Sequence, residues 1–289
     1  MIQKCCQEYQ IKNLNLTLQR LGKAVMKKYK LLLILSSVLL NTPNMCHHEN
    51  DEIDLRLYEI SRISQNGEDG VLEKIFQLIG TTNKYYVEFG AGNGHYCSNV
   101  KYLREKYNWT GLLMDGACSN SMNDDLLINL HKEFITAENI CNLFKKYNVP
   151  HEFDLISIDI DRNDFYVWKT LSAAYKPRVV IIEFNAIFNS NEDKVIKYEA
   201  NAIWDGRHYF GASILALFNL ARKLGYSLVY EESAAVNLFF IRDDILTSSM
   251  IKFKNVNNVT KIHKPNPLRK TCDSKIIAEI FTSSVEAIQ

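Results

Sequence analysis

Apolar positions between residues 85 and 241 follow two alternating periods. Short apolar runs rich in β-branched and aromatic residues are separated by amphipathic stretches at helical spacing. The runs predicted as strands are 85–89, 110–114, 153–160, 178–184, 226–230 and 236–241, and the run 126–136 is expected to contain a further strand. This alternation predicts an α/β fold with a mostly parallel seven-stranded sheet and helices on both faces. The close spacing of the last two strands predicts a C-terminal antiparallel hairpin.

The turn after the first predicted strand is rich in glycine. The segment VEFGAGNG, residues 87–94, places Gly90, Gly92 and Gly94 at alternate positions. Without Cβ atoms, the backbone of this turn can approach a ligand closely. Such turns also serve tight packing, so the glycines alone do not decide between packing and ligand binding.

An acidic residue, Asp115, ends the second predicted strand. It follows the glycines by about 20 to 25 residues, which is the spacing at which a carboxylate hydrogen-bonds the two hydroxyls of a ribose. The alternative is an aspartate that only forms the turn before Gly116. Spacing and context favour the ribose role.

Polar side chains also follow the fourth and fifth predicted strands. Asp159 and Asp161 come at the end of the fourth, and Glu183 and Asn185 at the end of the fifth. Ligands of such sheets bind beyond the carboxyl ends of the strands, so these side chains are expected near the glycine turn. Oxygen ligands of this kind suit Mg²⁺, with Asp159, Glu183 and Asn185 as the candidate set and Asp161 as a substitute ligand or catalytic residue. The alternative is an aspartate that only caps the following helix.

Composition and charge exclude several classes of function. The chain has 34 basic and 33 acidic residues and a formal charge of +1, so no electrostatic footprint favours nucleic acid. Its seven cysteines form no CxxC pair and no regular framework, which argues against structural zinc and a disulfide scaffold.

The two ends of the chain differ from the middle, which predicts an extension at residues 1–50, a domain at 51–246 and a C-terminal extension at 247–289. Within 26–46, basic residues precede ten mostly apolar residues and then a polar stretch, the anatomy of a signal peptide. The run is about half the length needed to span a bilayer. We expect targeting to the secretory pathway or membrane association through 26–46, with an amphipathic or buried helix as the alternative.

Several motifs together resemble a known family. GAGNG after an acid-containing strand, with Asp115 ending the next strand, resembles motifs I and II of class I S-adenosylmethionine-dependent methyltransferases. SQNGEDG, SIDIDRND, VVIIEFN and YFGAS look like the FkbM-like branch, and the resemblance covers roughly residues 60–244. It implies a Rossmann-like fold with S-adenosyl-L-methionine as cofactor. The residues that it implies at the cofactor are Gln65 and Glu68 at the amino-acid end, Glu88, Gly90, Gly92 and Gly94 at the methionine part, and Asp115 at the ribose.

The resemblance implies methylation of a hydroxyl on a small molecule or glycan. A sulfonium donor is already activated, so the protein must align the acceptor and lower its proton affinity. Mg²⁺ is one device for this, and a general base is the other, with His208 in WDGRHYFGAS as the candidate.

Two alternatives compete with this interpretation. An NAD-type oxidoreductase is disfavoured, because His95 stands where GxGxxG needs its third glycine and because Glu88 suits a sulfonium better than a pyrophosphate. A non-catalytic methyltransferase-like module at a secretory membrane is the other alternative. It is motivated by the targeting segment and by Arg162, which replaces a glycine expected in the family and would cost about 1 kcal/mol in a left-handed turn.

Overall fold

A computed structural model of the chain describes residues 52–116, 125–264 and 272–289. These residues belong to one compact unit that begins at Asp51. The predicted extension of residues 1–50, with its signal-like segment, lies outside the described residues. Within the described ranges, no helix has the length and apolar character needed to cross a membrane.

Seven strands form one sheet in the order β3-β2-β1-β4-β5-β8-β7. Their bounds are β1 Tyr85–Phe89, β2 Thr110–Asp115, β3 Leu130–Lys132, β4 Glu152–Ile158, β5 Lys176–Glu183, β7 Tyr226–Glu231 and β8 Asn237–Arg242. The first five strands pair in parallel, whereas β8 is antiparallel to both β5 and β7. The structure therefore confirms the predicted Rossmann-like sheet and its antiparallel hairpin.

Helices pack on both faces of this sheet. The described α-helices are α1 Glu68–Ile79, α2 Lys101–Tyr107, α3 Ile140–Lys146, α4 Asp164–Leu171, α5 Ile214–Leu224, α6 Asp243–Ser249, α7 Val259–Ile262, α8 Ser274–Ile280 and α9 Ser284–Ile288. Apolar residues of α1 and α2 join one buried cluster, and those of α3, α4 and α5 join the other. Neighbouring strand residues alternate between the two clusters, as Tyr86 and Val87 do, because successive side chains of a strand point to opposite faces.

The strands read as nearly continuous apolar runs because both faces of the sheet are covered. In β5 every residue from Val179 to Ile182 is fully buried. This explains why the apolar runs located the central strands to within a few residues.

The third strand lies within the run that was expected to contain it. Leu130–Lys132 of the run 126–136 forms β3 and pairs with β2. Asp125 and Leu130 exchange two backbone hydrogen bonds and close a turn. Leu126 and Leu127 are 77% and 96% exposed in it, so apolar character alone did not indicate strand here.

Described residues after 247 pack against the sheet domain. Phe253 is buried and forms a parallel bridge with Ile53, and Val259 and Ile262 join the larger apolar cluster. Further along the chain, β9 (Phe281–Thr282) pairs with β6 (Val195–Ile196) in a separate two-stranded sheet. The C-terminal part of the chain thus contributes to the core.

Candidate functional site

The three glycines after β1 differ in what a side chain at each position would contact. All have positive φ, between 53° and 69°. A Cβ on Gly90 would lie 1.6 Å from the carbonyl oxygen of Asp159, and a Cβ on Gly94 would lie 2.7 Å from the side chain of Ile128. A Cβ on Gly92 would meet nothing within 4 Å. Gly90 and Gly94 therefore serve packing, and Gly92 is where the turn faces open space.

Asp115 holds this turn from the neighbouring strand. It is the last residue of β2, and its Oδ2 accepts a hydrogen bond of 2.7 Å from the amide of Gly92. Asp115 and Gly90 line one cavity at the carboxyl ends of β1 and β2. The structure thus brings together the glycine turn and the acid that the sequence paired with it, while the ribose role stays a prediction.

Glu88 lies beneath the turn. Its two carboxylate oxygens accept hydrogen bonds of 2.6 Å from the hydroxyl of Ser98 and the amide of Asn99, just before α2. Burial raises the pKa of Glu88 to about 7. These hydrogen bonds join Glu88 to residues that follow the glycine turn, so Glu88 supports the turn. Sequence reasoning did not identify Ser98 and Asn99 as its partners.

The SQNGEDG motif, residues 64–70, comprises the turn before α1 and the first residues of that helix. The Oδ2 of Asp69 accepts three backbone hydrogen bonds, from Arg62, Ile63 and Ser64. Glu68 is buried and accepts from the side chain of Asn237 at 3.0 Å. Asn237 pairs with Glu183 across β5 and β8, so Glu68 lies at the carboxyl edge of the sheet.

Gln65 belongs to the same motif and was predicted beside Glu68 at the cofactor. Its side chain is exposed. The cavity that contains Asp115 includes neither Gln65 nor Glu68 among its lining residues. The part of the chain that the structure describes therefore does not bring these two residues into that cavity.

A cluster of carboxylates lies at the ends of β4 and β5. One carboxylate oxygen from each of Asp159, Asp161 and Glu183 lies within 4.8 Å of the others. Burial, and then the neighbouring carboxylates, hold the pKa of Asp159 and of Glu183 well above the ordinary range. The pKa of Asp161 is also raised, chiefly by burial.

Two buried oxygens at this cluster have no hydrogen-bond partner among the described residues. They are Oε2 of Glu183 and Oδ2 of Asp164. The other oxygen of Asp164 accepts from the amide of Ile160 at 2.7 Å, and burial raises the pKa of Asp164 to about 7. Buried oxygens of this kind are satisfied by a proton, a water or a cation.

Asn185 does not join the cluster. Its amide group donates two hydrogen bonds of 2.9 Å, to the carbonyls of His208 and Phe210, and its oxygen accepts from the amide of Ile187. The structure thus groups Asp159 and Glu183 with Asp161 and places Asn185 as an anchor for the segment between β6 and α5. We call residues 197–211 of that segment the 197–211 loop.

The predicted base, His208, lies on the 197–211 loop. Its side chain is exposed, and its backbone carbonyl is the group held by Asn185. His208 is absent from the described lining of the cavity that contains Asp115 and Asp161. The structure therefore does not bring His208 together with the acids.

The strain expected at Arg162 is absent. The residue with positive φ in this turn is Asp161, at 66°, and Arg162 is not among the described residues with positive φ. The Arg162 guanidinium lies 3.8 Å from Glu199 of the 197–211 loop. The expectation of a strained arginine was wrong because the chain turns one residue earlier.

These features define a Rossmann-like α/β protein with an acidic crevice at the carboxyl edge of its sheet. No family model and no curated protein matches the chain. Similar folds occur among solved structures, one an O-methyltransferase family protein from Burkholderia thailandensis. It is 10% identical with a TM-score of 0.34, over 61% of this chain and 57% of that chain.

Two further structures have comparable similarity. The MycE methyltransferase of mycinamycin biosynthesis, in complex with Mg, SAH and mycinamycin VI, is 12% identical with a TM-score of 0.40, over 67% of this chain and 56% of that chain. The CurJ carbon methyltransferase is 11% identical with a TM-score of 0.38, over 65% and 57%. This chain thus spans little more than half the length of these proteins. At such low sequence identities and TM-scores, the assignment of the fold rests on the strand order of the sheet.

Proposed function

We propose that the chain is an S-adenosylmethionine-dependent methyltransferase that methylates a hydroxyl of a small molecule or glycan. The observation that carries this proposal is the single cavity shared by Gly90, Asp115 and Asp161. It combines a residue of the glycine turn, the acid that we assign to the ribose, and Asp159 and Asp161 of the carboxylate cluster. A nucleoside with a cationic sulfonium complements both the shape and the charge of this edge.

The position of Glu88 argues against a dinucleotide. In dinucleotide-binding folds, the pyrophosphate occupies the amino terminus of the helix after the first strand. Here the carboxylate of Glu88 accepts from the amide of Asn99 at that place, and Ser98 bonds to Lys101 at the start of α2. A pyrophosphate would meet a carboxylate where it needs free amides.

The cofactor, when bound, supplies an activated methyl group. The chain's own residues then bind the cofactor, orient the acceptor and accept a proton from its hydroxyl. In this proposal Asp115 holds the ribose, and the carboxylates of Asp159, Asp161 and Glu183 orient an acceptor. Because burial raises the pKa of Glu183, its ionised form is a stronger base than an ordinary carboxylate and can take a hydroxyl proton.

A divalent cation also fits this cluster. Hard cations such as Mg²⁺ prefer carboxylate oxygens, and Oε2 of Glu183 is buried without a partner among the described residues. The residues that would hold the cation are Asp159, Asp161 and Glu183, where the sequence had suggested Asn185 in place of Asp161. The cation would lower the proton affinity of a bound hydroxyl.

Two observations motivated the non-catalytic alternative. One of them no longer supports it, because Arg162 is not strained. Its other motive, the apolar segment in 26–46, lies outside the described residues. We therefore favour an enzyme.

Calorimetry with S-adenosylmethionine and S-adenosylhomocysteine tests the proposal. Binding of both is expected, with Asp115→Ala weakening it at least tenfold, since hydrogen bonds to a charged group are lost. Glu152→Gln is the matched control, because Glu152 is an exposed acid paired with Arg242 at the amino end of β4, opposite the candidate site. Methyl transfer from radiolabelled cofactor to phenols, polyols and sugars tests the acceptor class. A folded chain that binds neither cofactor form would overturn the proposal.

A further inference from the structure

Three large apolar side chains stand exposed around the cavity of Asp115. Phe134 is 41% exposed, Ile203 is 68% exposed and Trp204 is 44% exposed, and all three line that cavity. Single exposed apolar residues are ordinary on protein surfaces. Three at the mouth of one cavity with a carboxylate floor indicate a ligand with a flat, apolar part next to a polar one.

The cavity runs along the ends of β1, β2 and β3. Gly90 follows β1, Asp115 ends β2, and Glu133 and Phe134 follow β3. With a ribose at Asp115 and the methyl acceptor at the carboxylate cluster of β4 and β5, the strand order leaves the β3 side of the cavity for the base of the nucleoside. Adenine is the flat part of the proposed cofactor, and Ile203 and Trp204 belong to the same lining.

We propose that Trp204 and Ile203 cover the adenine of the cofactor, so that the 197–211 loop forms the outer wall of the cofactor site. This inference rests on the proposed function. It adds two binding residues from a segment that lies far from the glycine turn in sequence.

The loop is held in place at both ends. The side chain of Asn163, directly before α4, donates to the carbonyl of Glu199 at 3.0 Å. At the other end, Asn185 donates to the carbonyls of His208 and Phe210. Within the loop, the indole NH of Trp204 donates to the carbonyl of Arg207 at 2.7 Å, which orients the ring. These contacts within the chain therefore hold the 197–211 loop in position without a ligand.

The lining of this cavity contains Asp115 and also Asp159 and Asp161 of the carboxylate cluster, whereas Glu183 at the end of β5 is absent from the described lining. The methyl acceptor must reach the carboxylate cluster, which lies at the β4 and β5 ends. Trp204 is assigned to the adenine because adenine is the flat, apolar part of the proposed cofactor, and the quenching experiment distinguishes the adenine from the acceptor as its partner.

Tryptophan fluorescence gives a direct test, because the chain has three tryptophans. Trp109 and Trp168 are 4% and 2% exposed, so acrylamide quenching reports chiefly on Trp204. Saturating S-adenosylhomocysteine is expected to protect the quenchable fraction at least twofold. Trp204→Phe is expected to abolish this change and to keep the affinity within a few-fold.

Calorimetry provides the second measurement. Trp204→Ala is expected to weaken S-adenosylhomocysteine binding about 10- to 100-fold, the usual effect of losing an aromatic partner of a base. Met250→Ser is the control, since Met250 is 86% exposed and absent from the cavity lining. It should leave the affinity unchanged.

The outcomes separate this inference from the proposed function. If S-adenosylhomocysteine binds but Trp204 stays equally quenchable and Trp204→Ala binds normally, the inference is wrong and the proposed function stands. If protection appears only when an acceptor is added, the loop belongs to the acceptor and the inference is again wrong. If the wild-type chain binds no cofactor, both fail together.

Discussion

Arg178 and Asp154 form a buried ion pair at the amino ends of β5 and β4, with 2.7 Å between Nη1 and Oδ1. Asp154 also accepts hydrogen bonds from the backbone amides of Thr82 and Lys84, which lead into β1. The guanidinium of Arg178 donates in addition to the carbonyls of Ile79 and Gly80 at the end of α1. One ion pair thus joins α1, β1, β4 and β5 at the edge opposite the candidate site.

We expect Arg178→Ala to destabilise the fold by about 3 to 5 kcal/mol, because it leaves Asp154 charged and buried. Urea denaturation followed by circular dichroism measures this free energy. Arg222→Ala is the control, since Arg222 pairs with Asp243 on an exposed surface and should cost at most about 1 kcal/mol. Equal losses in the two variants would contradict the role given to the buried pair.

Glu88 is expected to make stability depend on pH. Because burial raises its folded pKa to about 7 from the ordinary 4.5, folding favours the protonated form. Its contribution is fully present below about pH 4.5 and is lost as the pH rises through 7, by on the order of 3 kcal/mol. Glu88→Gln should flatten this decline, as measured by chemical denaturation at pH 5, 6, 7 and 8.

The control for Glu88 is Glu105→Gln, because Glu105 is an exposed acid on α2. This variant should keep the wild-type dependence of stability on pH. If Glu88→Gln also keeps it, Glu88 does not titrate in the expected range.

Divalent cations are expected to raise the melting temperature through the cluster of Asp159, Asp161 and Glu183. A cation at 100 times its Kd stabilises by about 2.7 kcal/mol. Because burial raises the pKa of Asp159 and Glu183, protons compete with the cation, and the stabilisation by Mg²⁺ should increase from pH 6 to pH 8. Thermal denaturation with Mg²⁺ and with EDTA measures the effect.

Glu183→Gln should remove most of this stabilisation by Mg²⁺, whereas Asp205→Asn should retain it. An identical Mg²⁺ response in wild type and Glu183→Gln would show that the cation does not bind at the cluster.

Asn185→Ala is expected to release the 197–211 loop. It leaves the carbonyls of His208 and Phe210 without their donor, at a cost of about 1 to 3 kcal/mol. Trp204 should become more accessible to acrylamide, and the stabilisation by Mg²⁺ should stay unchanged. The control is Asn189→Ala, in an exposed turn where Asn189 bonds to Glu192.

The same variant separates the two roles considered for Asn185. Loss of the Mg²⁺ response, with normal quenching of Trp204, would make Asn185 a metal ligand and not an anchor of the loop.

Local pattern was sufficient for much of the fold and for part of the site. The central strands were predictable because both of their faces are buried, so nearly every residue is apolar. The acids at strand ends were predictable because parallel strands bring their carboxyl ends to one edge. The bounds of the third strand within 126–136 were not predictable, because Leu126 and Leu127 lie exposed in a turn that apolar character does not reveal.

The partners of individual side chains were not predictable from the sequence. Asp161 joins Asp159 and Glu183 because the backbone turns left-handed at Asp161, a conformation that its residue type permits but does not require. Glu88 bonds to residues of its own turn, and Asn185 bonds to carbonyls more than 20 residues away. No local pattern encodes such contacts.

The sequence by itself determined the α/β architecture, the antiparallel hairpin and the set of acids at the carboxyl edge, since each follows from periodicity or from the ends of strands. Only the tertiary structure decided which acids meet, which residue carries the left-handed turn and that Trp204 lines the cavity of Asp115. The physical reason is that periodicity reports burial within one element. The direction of a side chain at the end of a strand depends on loops that pack from distant parts of the chain.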